Sequence, residues 1–346
     1  MKINREELLK QLQTVTPGLS PKELIEQSSC FVFKDKKVMT FNDEIACTHP
    51  VCLKIEGAVT SKSFISILQK LQEEELDIEA KDGELLLVGK KKKAGIRMEK
   101  EILLPVESVD ATKNWVDLSE DFTEAVKRVQ YCAGKDSTEF LITCIHITPD
   151  YMEASDNYQV GRYAVKTGIK KPILVRRDSL KHIASLDMTQ FCETKSWLHF
   201  KNPSDLILSC RKYVEDYPTD EITKYLKAKG TKTQLPKGIR DSVDKAQVFS
   251  SENVEDNVVT VHLQRGKIKI KGKGVSGWFS EVKKIHYKGE EMAFSVAPQL
   301  LADLSQNYND CEITKDKLKV ESGKFSYVTV LNPIVKKLKK KKGKGE

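Results

Sequence analysis

The stretch EELLKQLQTVT, residues 6–16, decides how the chain is read, because its pattern returns twice more. Leu8, Leu12 and Val15 recur at four- and three-residue spacing. That spacing stacks them on one stripe of a helix and turns Glu6, Lys10, Gln13 and Thr14 away from it. EDFTEAVKRVQYCA (120–133) repeats the stripe with Phe122, Val126, Val129 and Ala133, and KGIRDSVDKAQVFS (237–250) repeats it with Ile239, Val243 and Ala246. Midway between these openings lie further helical patterns at 61–72, 177–186 and 297–306, carrying Phe64 and Leu68, Leu180 and Ile183, and Leu301 and Leu304. A period of roughly 115 residues with a half-period near 55 predicts six copies of one helix-plus-strands unit rather than a chain built round one cleft.

The segments between the helices alternate in strand fashion. CFVF (30–33), KVMTF (37–41) and IAC (45–47) read as a meander with turns at Asp35 and Asn42, and Ser61 is placed as the cap of the helix that follows. Strands are expected at 76–80, 85–88 and 95–104, then at 140–147, 151–154, 160–165, 173–175, 196–200 and 206–210. The last third supplies 258–263, 267–271, 278–285, 292–296, 311–314, 318–321 and 325–331. Residues 105–114 and 217–230 read as linkers. Helices that alternate with antiparallel meanders predict an α+β fold with helices on one face of each sheet, and not a parallel βαβ winding. The divisions are 1–114, 115–230, 231–335 and a basic tail at 336–346.

The 346 residues carry a net charge of +8, but the tail's seven lysines and one glutamate account for +6, which leaves +2 on the rest. Any affinity of the body for nucleic acid must therefore come from where positive charge is placed. A lysine-rich end is also what a solvated terminus looks like. No run approaches the roughly 20 apolar residues that span a bilayer, so the expectation is a cytoplasmic protein without a membrane partner. The eight cysteines sit singly in apolar stretches, as reduced buried thiols do.

Catalytic patterns are missing where an enzyme would show them. Gly272 and Gly274 flank a lysine between strands, with no phosphate-loop Ser/Thr and no helix directly after. The six histidines are dispersed. Cys47, His49 and Cys52 are one ligand short of a structural metal site, and Glu73, Glu74 and Glu75 read as a solvated helix end. The expectation is a non-enzyme with no cofactor and no metal.

Four segments resemble the bacterial beta sliding clamp of the replicative DNA polymerase: CIHITPDYMEASDNYQV (144–160), ILVRRDSL (173–180), the Tyr217–Pro218 pair, and DSVDKAQVFS (241–250). The resemblance covers nearly the whole chain in the right order and is that of a divergent member, of host or phage origin. It implies three tandem DNA-clamp (processivity) domains per chain and a homodimer ring, with helices lining the hole and antiparallel sheets outside. The implied function is to encircle duplex DNA without sequence preference and tether the polymerase, in a bacterial cell or a phage-infected host. DNA polymerase and clamp loader would dock through short peptide motifs. The alternative is a clamp-fold adaptor that binds partner peptides without sliding.

On this reading the DNA face uses Lys10, Lys70, Lys127, Arg128, Lys181, Arg240 and Lys245 from helix faces, with Lys22, Lys135 and Arg177 at loop or helix-start positions. The family's partner pocket, carried over by position, comprises Leu141, Ser155, Asn157, Tyr158, Gln159, Val160, Pro218, Ile222, Leu331 and Pro333. Here the chain departs from the family: DNYQV (156–160) replaces the usual Asp-Gly-His/Tyr-Arg-Leu, and Asn332–Pro333 replaces a terminal Met-Pro. The dimer seam is expected to join the end of the first domain to the start of the third, through Ile96, Met98 and Ile102 at a strand edge and Val248 and Phe249 beyond the helix.

Overall fold

The computed structural model describes residues 1–112, 114–135, 138–252 and 257–334; the basic tail at 336–346 lies outside them. The chain divides into two compact units, Met1–Ala154 with Ala164–Tyr217, and Ser155–Tyr163 with Pro218–Glu346. The secondary structure is α+β, with helices α1 (Arg5–Thr14), α2 (Ser61–Lys70), α3 (Phe122–Val129), α4 (Arg177–Leu180), α5 (Thr219–Leu226), α6 (Ile239–Ser250) and α7 (Pro298–Asn307). Among the described residues the strand pairings are antiparallel. Among the described residues no helix is long and apolar enough to cross a membrane.

In the first unit one ladder runs through Glu75–Lys81, Glu84–Val88, Lys93–Glu99, Gly57–Thr60, Cys30–Lys34, Lys37–Phe41 and Ile45–Pro50. Ile45–Pro50 then pairs with Ile207–Tyr213, so the ladder of the first third passes directly into that of the second, continuing through Trp197–Lys201 to Gln190–Glu193. The far end of Ile207–Tyr213 turns to Ile173–Arg176, which pairs with Cys144–Ile147. The helices pack as the stripes require. α1 lies against α2, and Phe64 of α2 sits edge-on between Phe31 and Phe33, with ring centroids 6.4 and 6.3 Å away. α3 packs on the 3-10 turn Lys181–Ala184 and drives Phe122 against Phe200 at 5.7 Å.

The second unit holds two ladders. One runs from residues 159–163 through Phe325–Val330, Lys317–Ser322 and Asp310–Ile313 to Thr231–Gln234. The other runs Trp278–Lys284, Lys267–Lys273, Val259–Gln264, Met292–Val296 and Asn332–Pro333. α6 packs on α7 and on Lys267–Lys273 so closely that a Cβ at Gly272 would stand 1.9 Å from the Ala246 carbonyl oxygen. Only glycine admits that approach.

Several expectations are corrected. The supposed linker 217–230 contains α5, whose Ile222 and Leu226 are buried; its polar residues cover the outward face and hide a short apolar stripe. The helix at 177–186 is a four-residue α turn followed by a 3-10 turn. Thr60, not Ser61, is the N-cap of α2, and the Ser61 hydroxyl donates to the Ser29 carbonyl at 2.6 Å instead. The strand expected at 95–104 ends at Glu99, and 140–147 opens with a 3-10 turn before Cys144–Ile147. Gly57–Thr60 and Thr231–Gln234 are strands that lack a readable alternation, being short and, in the second case, polar.

Candidate DNA-facing helices and peptide groove

Five of the ten cations expected on the DNA face, Lys10, Lys22, Lys70, Lys127 and Lys135, are exposed, and among the described residues they stand in no ion pair. Lys10, Lys70 and Lys127 project from α1, α2 and α3 opposite the buried stripes Leu8–Leu12, Phe64–Leu68 and Phe122–Val129. Four others are tied to acids on their own helix turns: Arg128 to Glu124 at 2.6 Å, Lys181 to Asp178 at 3.0 Å, Arg240 to Asp244 at 3.8 Å and Lys245 to Asp241 at 2.7 Å. The hydrogen bond from Lys245 holds the Asp241 carboxyl below its ordinary range, and the same contact raises the Lys245 ammonium. Pairs this exposed are screened by solvent and hold their cations weakly, so a phosphate competes for them easily.

Arg177 is placed differently from the others. It is 8% exposed and its guanidinium donates to the Ala133 carbonyl at 2.9 Å, which ties α4 to the end of the α3 segment rather than presenting a charge to solvent. α7 carries no basic residue at all.

The residues expected in the peptide pocket fall, with one exception, within the second unit; Leu141 is half-buried on the 3-10 turn Leu141–Thr143 of the first. A tight turn starts the groove. Asp156 accepts hydrogen bonds from the Tyr158 and Gln159 amides at 3.1 and 3.0 Å and from the Gln159 side-chain amide at 2.8 Å. Asn157 sits at φ 72°, and the Ser155 hydroxyl donates to the Gln159 carbonyl at 2.9 Å. The strand after the turn is zipped to Phe325–Val330: Gln159 faces Thr329, Val160 faces Val328, and the Val330 amide donates to the Tyr158 carbonyl at 2.8 Å. Arg162 reaches α5 and donates to the Thr223 hydroxyl at 2.9 Å.

This geometry changes which side chains a partner would meet. Val160, Ile222 and Leu331 were expected in the pocket, yet all three are buried, Leu331 to 1% exposure: Val160 is an inward member of its strand, Ile222 lies on the buried stripe of α5, and Leu331 follows strand Phe325–Val330 into the unit's own core. The apolar surface left open is Tyr158, at 72% exposure, with Tyr225, Val330 and Ile334, beside the exposed Pro218 and Pro333. The Lys317 ammonium stands 5.3 Å over the Tyr225 ring, and Lys317 is the register partner of Val330, so Tyr225 and Val330 are linked through Lys317. Tyr225 and Val330 escaped the sequence reading. Tyr225 stands three residues after Ile222, a helical signal diluted by Lys224 and Thr223.

The seam residues are also redistributed. Ile96 and Met98 are buried in their own chain, because the inward members of strand Lys93–Glu99 alternate with exposed Arg97 and Glu99. Ile102 packs on the cluster of Val32, Phe41 and Trp197. Only Val248, 63% exposed, and half-buried Phe249 remain open. Among the described residues no group of three or more His, Cys, Asp or Glu side chains converges as a metal site.

No family sequence model matches the chain, and no curated protein matches it in sequence. Its structure, by contrast, superimposes on the DNA polymerase III subunit beta sliding clamp of Pseudomonas aeruginosa bound to griselimycin with a TM-score of 0.80, covering 97% of this chain and 99% of that one at 13% identity. The chain has the sliding-clamp fold. The Thermotoga maritima beta subunit matches at TM-score 0.80 and 13% identity over 96% and 98% of the two chains, and that of Streptococcus pneumoniae at 0.80 and 15% over 97% and 99%. The sliding-clamp fold here thus spans 96–97% of the chain with little of the sequence held in common.

Proposed function

We propose that this protein is a sliding clamp: two copies close head to tail round duplex DNA, three clamp domains from each, and the ring tethers a replicative polymerase through short peptide motifs. The observation that carries the reading is the match to beta clamps, which covers 97% of this chain and 99% of the Pseudomonas aeruginosa chain. The exposed lysines of α1, α2 and α3 supply charge that attracts phosphates without reading bases. The groove between Tyr158, Val330 and Tyr225 offers apolar anchors rimmed by hydrogen-bonding groups, as a short peptide requires.

Closure needs two open strand edges. Trp278–Lys284 pairs on one side only, with Lys267–Lys273, and residues 93–97 pair only with Glu84–Val88 among the described residues. Joining the first edge of one copy to the second edge of another would satisfy both and bring Val248 and Phe249 under cover. The deciding experiment is retention on closed-circular against linearised duplex, together with the mass in solution. A ring has twice the 39.2 kDa chain mass and is lost from DNA when the circle is cut. A monomer that binds both DNA forms alike would remove the reading.

The second reading, a clamp-fold adaptor that binds partner peptides without sliding, is favoured by the acid-tied cations of α3, of the 3-10 turn Lys181–Ala184 and of α6, and by buried Arg177. It predicts peptide binding with no retention on circles.

A further inference from the structure

The sheet on which α6 packs has an outer face lined by lysines. Its register places Lys267, Lys269, Lys271 and Lys273 in one column, on the side opposite the buried Ile268 and Ile270. The neighbouring strand adds Lys284 directly across from Lys267, and Trp278 directly across from Lys273. The remaining positions of this face on the two flanking strands, Thr260, His262, Gln264, Ser280 and Val282, carry no carboxylate. Glu281 is on the other face, where Ser242 of α6 and then Lys283 donate to its carboxylate and hold it below its ordinary range. Among the described residues Lys267, Lys269, Lys271 and Lys284 stand in no ion pair.

Setting like charges directly opposite on adjacent strands, as Lys267 and Lys284 are, opposes folding. The arrangement therefore asks for an external polyanion. Alternate residues of a strand recur about every 7 Å, on the scale of successive phosphates along an extended single strand. Beyond the Lys267–Lys284 pair the column is one lysine wide, which suits one backbone and not the two of a duplex. At its end Trp278 is 65% exposed, an aromatic face on which an unpaired base stacks.

We infer that the column Lys267–Lys269–Lys271–Lys273, ended by Trp278, is a docking strip for single-stranded nucleic acid on the sheet face opposite α6. The strip is built within one copy and does not depend on ring closure. It acts on a strand outside whatever the helices hold, through phosphate contacts along the lysines and one stacked base on Trp278.

The test uses the full chain and a fluorescent twenty-residue oligo-dT, with anisotropy read as a function of salt. Lys267→Glu combined with Lys269→Glu and Lys271→Glu should weaken binding at least tenfold at low salt. It should also lower the slope of log affinity against log salt by roughly 2, since each phosphate contact on a single strand contributes about 0.7. Trp278→Ala should weaken binding about tenfold and leave the salt slope unchanged, the signature of lost stacking, while Trp278→Phe restores it. Retention on circular duplex should be unaltered in the triple lysine variant, whose residues lie one strand in from the proposed seam edge, which separates this outcome from failure of the clamp reading. Equal oligo-dT affinity in parent and triple variant overturns the inference. So does a duplex that competes better than oligo-dT, or a poly-glutamate peptide that competes as well, which would assign the strip to an acidic protein partner.

Discussion

The Tyr327 hydroxyl donates a 2.8 Å hydrogen bond to the side-chain oxygen of Gln159, diagonally across the pair of strands that forms the floor of the candidate groove. Residues 168 apart in sequence are thereby held in one register. Gln159 also donates to Asp156, so the strand and the turn that presents Tyr158 are fixed together.

The groove prediction follows from exposure. Tyr158→Ala should reduce the affinity of polymerase-derived peptides by about 1–2 kcal/mol, the loss of one aromatic anchor, with the melting temperature held. Leu331→Asp should instead unfold the second unit, since a carboxylate would replace a side chain that is 1% exposed. Calorimetric titration and thermal melts on the two variants distinguish them; equal peptide affinity for parent and Tyr158→Ala would place the partner elsewhere.

For the DNA face, Lys10→Glu, Lys70→Glu and Lys127→Glu together should abolish retention on circular duplex and lower the salt slope by about 3, at roughly 0.9 per phosphate on a duplex. All three side chains are exposed, so circular dichroism should report an intact fold. Loss that varies with DNA sequence would contradict a backbone-only contact.

At the seam, Val248→Asp and Phe249→Asp should each give the mass of a single chain in light scattering. Ile96→Asp is expected to destabilise the chain itself, because Ile96 is buried before any partner arrives. A folded dimer in the Val248→Asp variant would move the seam.

Stability should fall in acid through His199. Burial drives its pKa down to about 4; the imidazole lies between the Ser209 hydroxyl at 2.7 Å and the Thr194 hydroxyl at 3.1 Å. Unfolded, it protonates near 6.5, so the unfolded chain binds the extra proton. The neutral ring's stabilisation is complete above pH 6.5 and lost as the pH falls toward 4, on the order of 3 kcal/mol. His199→Gln should be less stable at pH 7 yet show a flatter decline between pH 6.5 and 4. Parallel curves for parent and variant would rule this out.

Thiol chemistry offers a simple count. Cys52 is exposed while the other seven cysteines are buried, and burial pushes Cys47 and Cys311 to about 12 and Cys144 to about 11. Native protein at pH 8 should react at one thiol, and Cys52→Ser at none, whereas guanidinium exposes all eight. A second fast thiol would reveal local opening.

Much of the fold was legible because it rests on local periodicity. The stripes Leu8–Leu12, Phe122–Val126–Val129 and Ile239–Val243–Ala246 bury as their spacing dictates, and the meander 30–47 pairs as its alternation dictates. Helix α5 and the strands Gly57–Thr60 and Thr231–Gln234 were hidden, because their identity comes from the neighbours they meet and not from their own pattern.

The sequence by itself therefore determined the α+β layering and the cations on the helices, which are properties of residues a few positions apart. Only the tertiary structure decided exposure. Alternation reveals that a strand has two faces but not which face meets a core, so Val160, Leu331, Ile96 and Met98 could be read equally as surface anchors or as packing until their neighbours were in place. The same holds for Lys267–Lys273: its alternation is plain in the chain, but the facing Lys284 and Trp278 are brought beside it only by strand register.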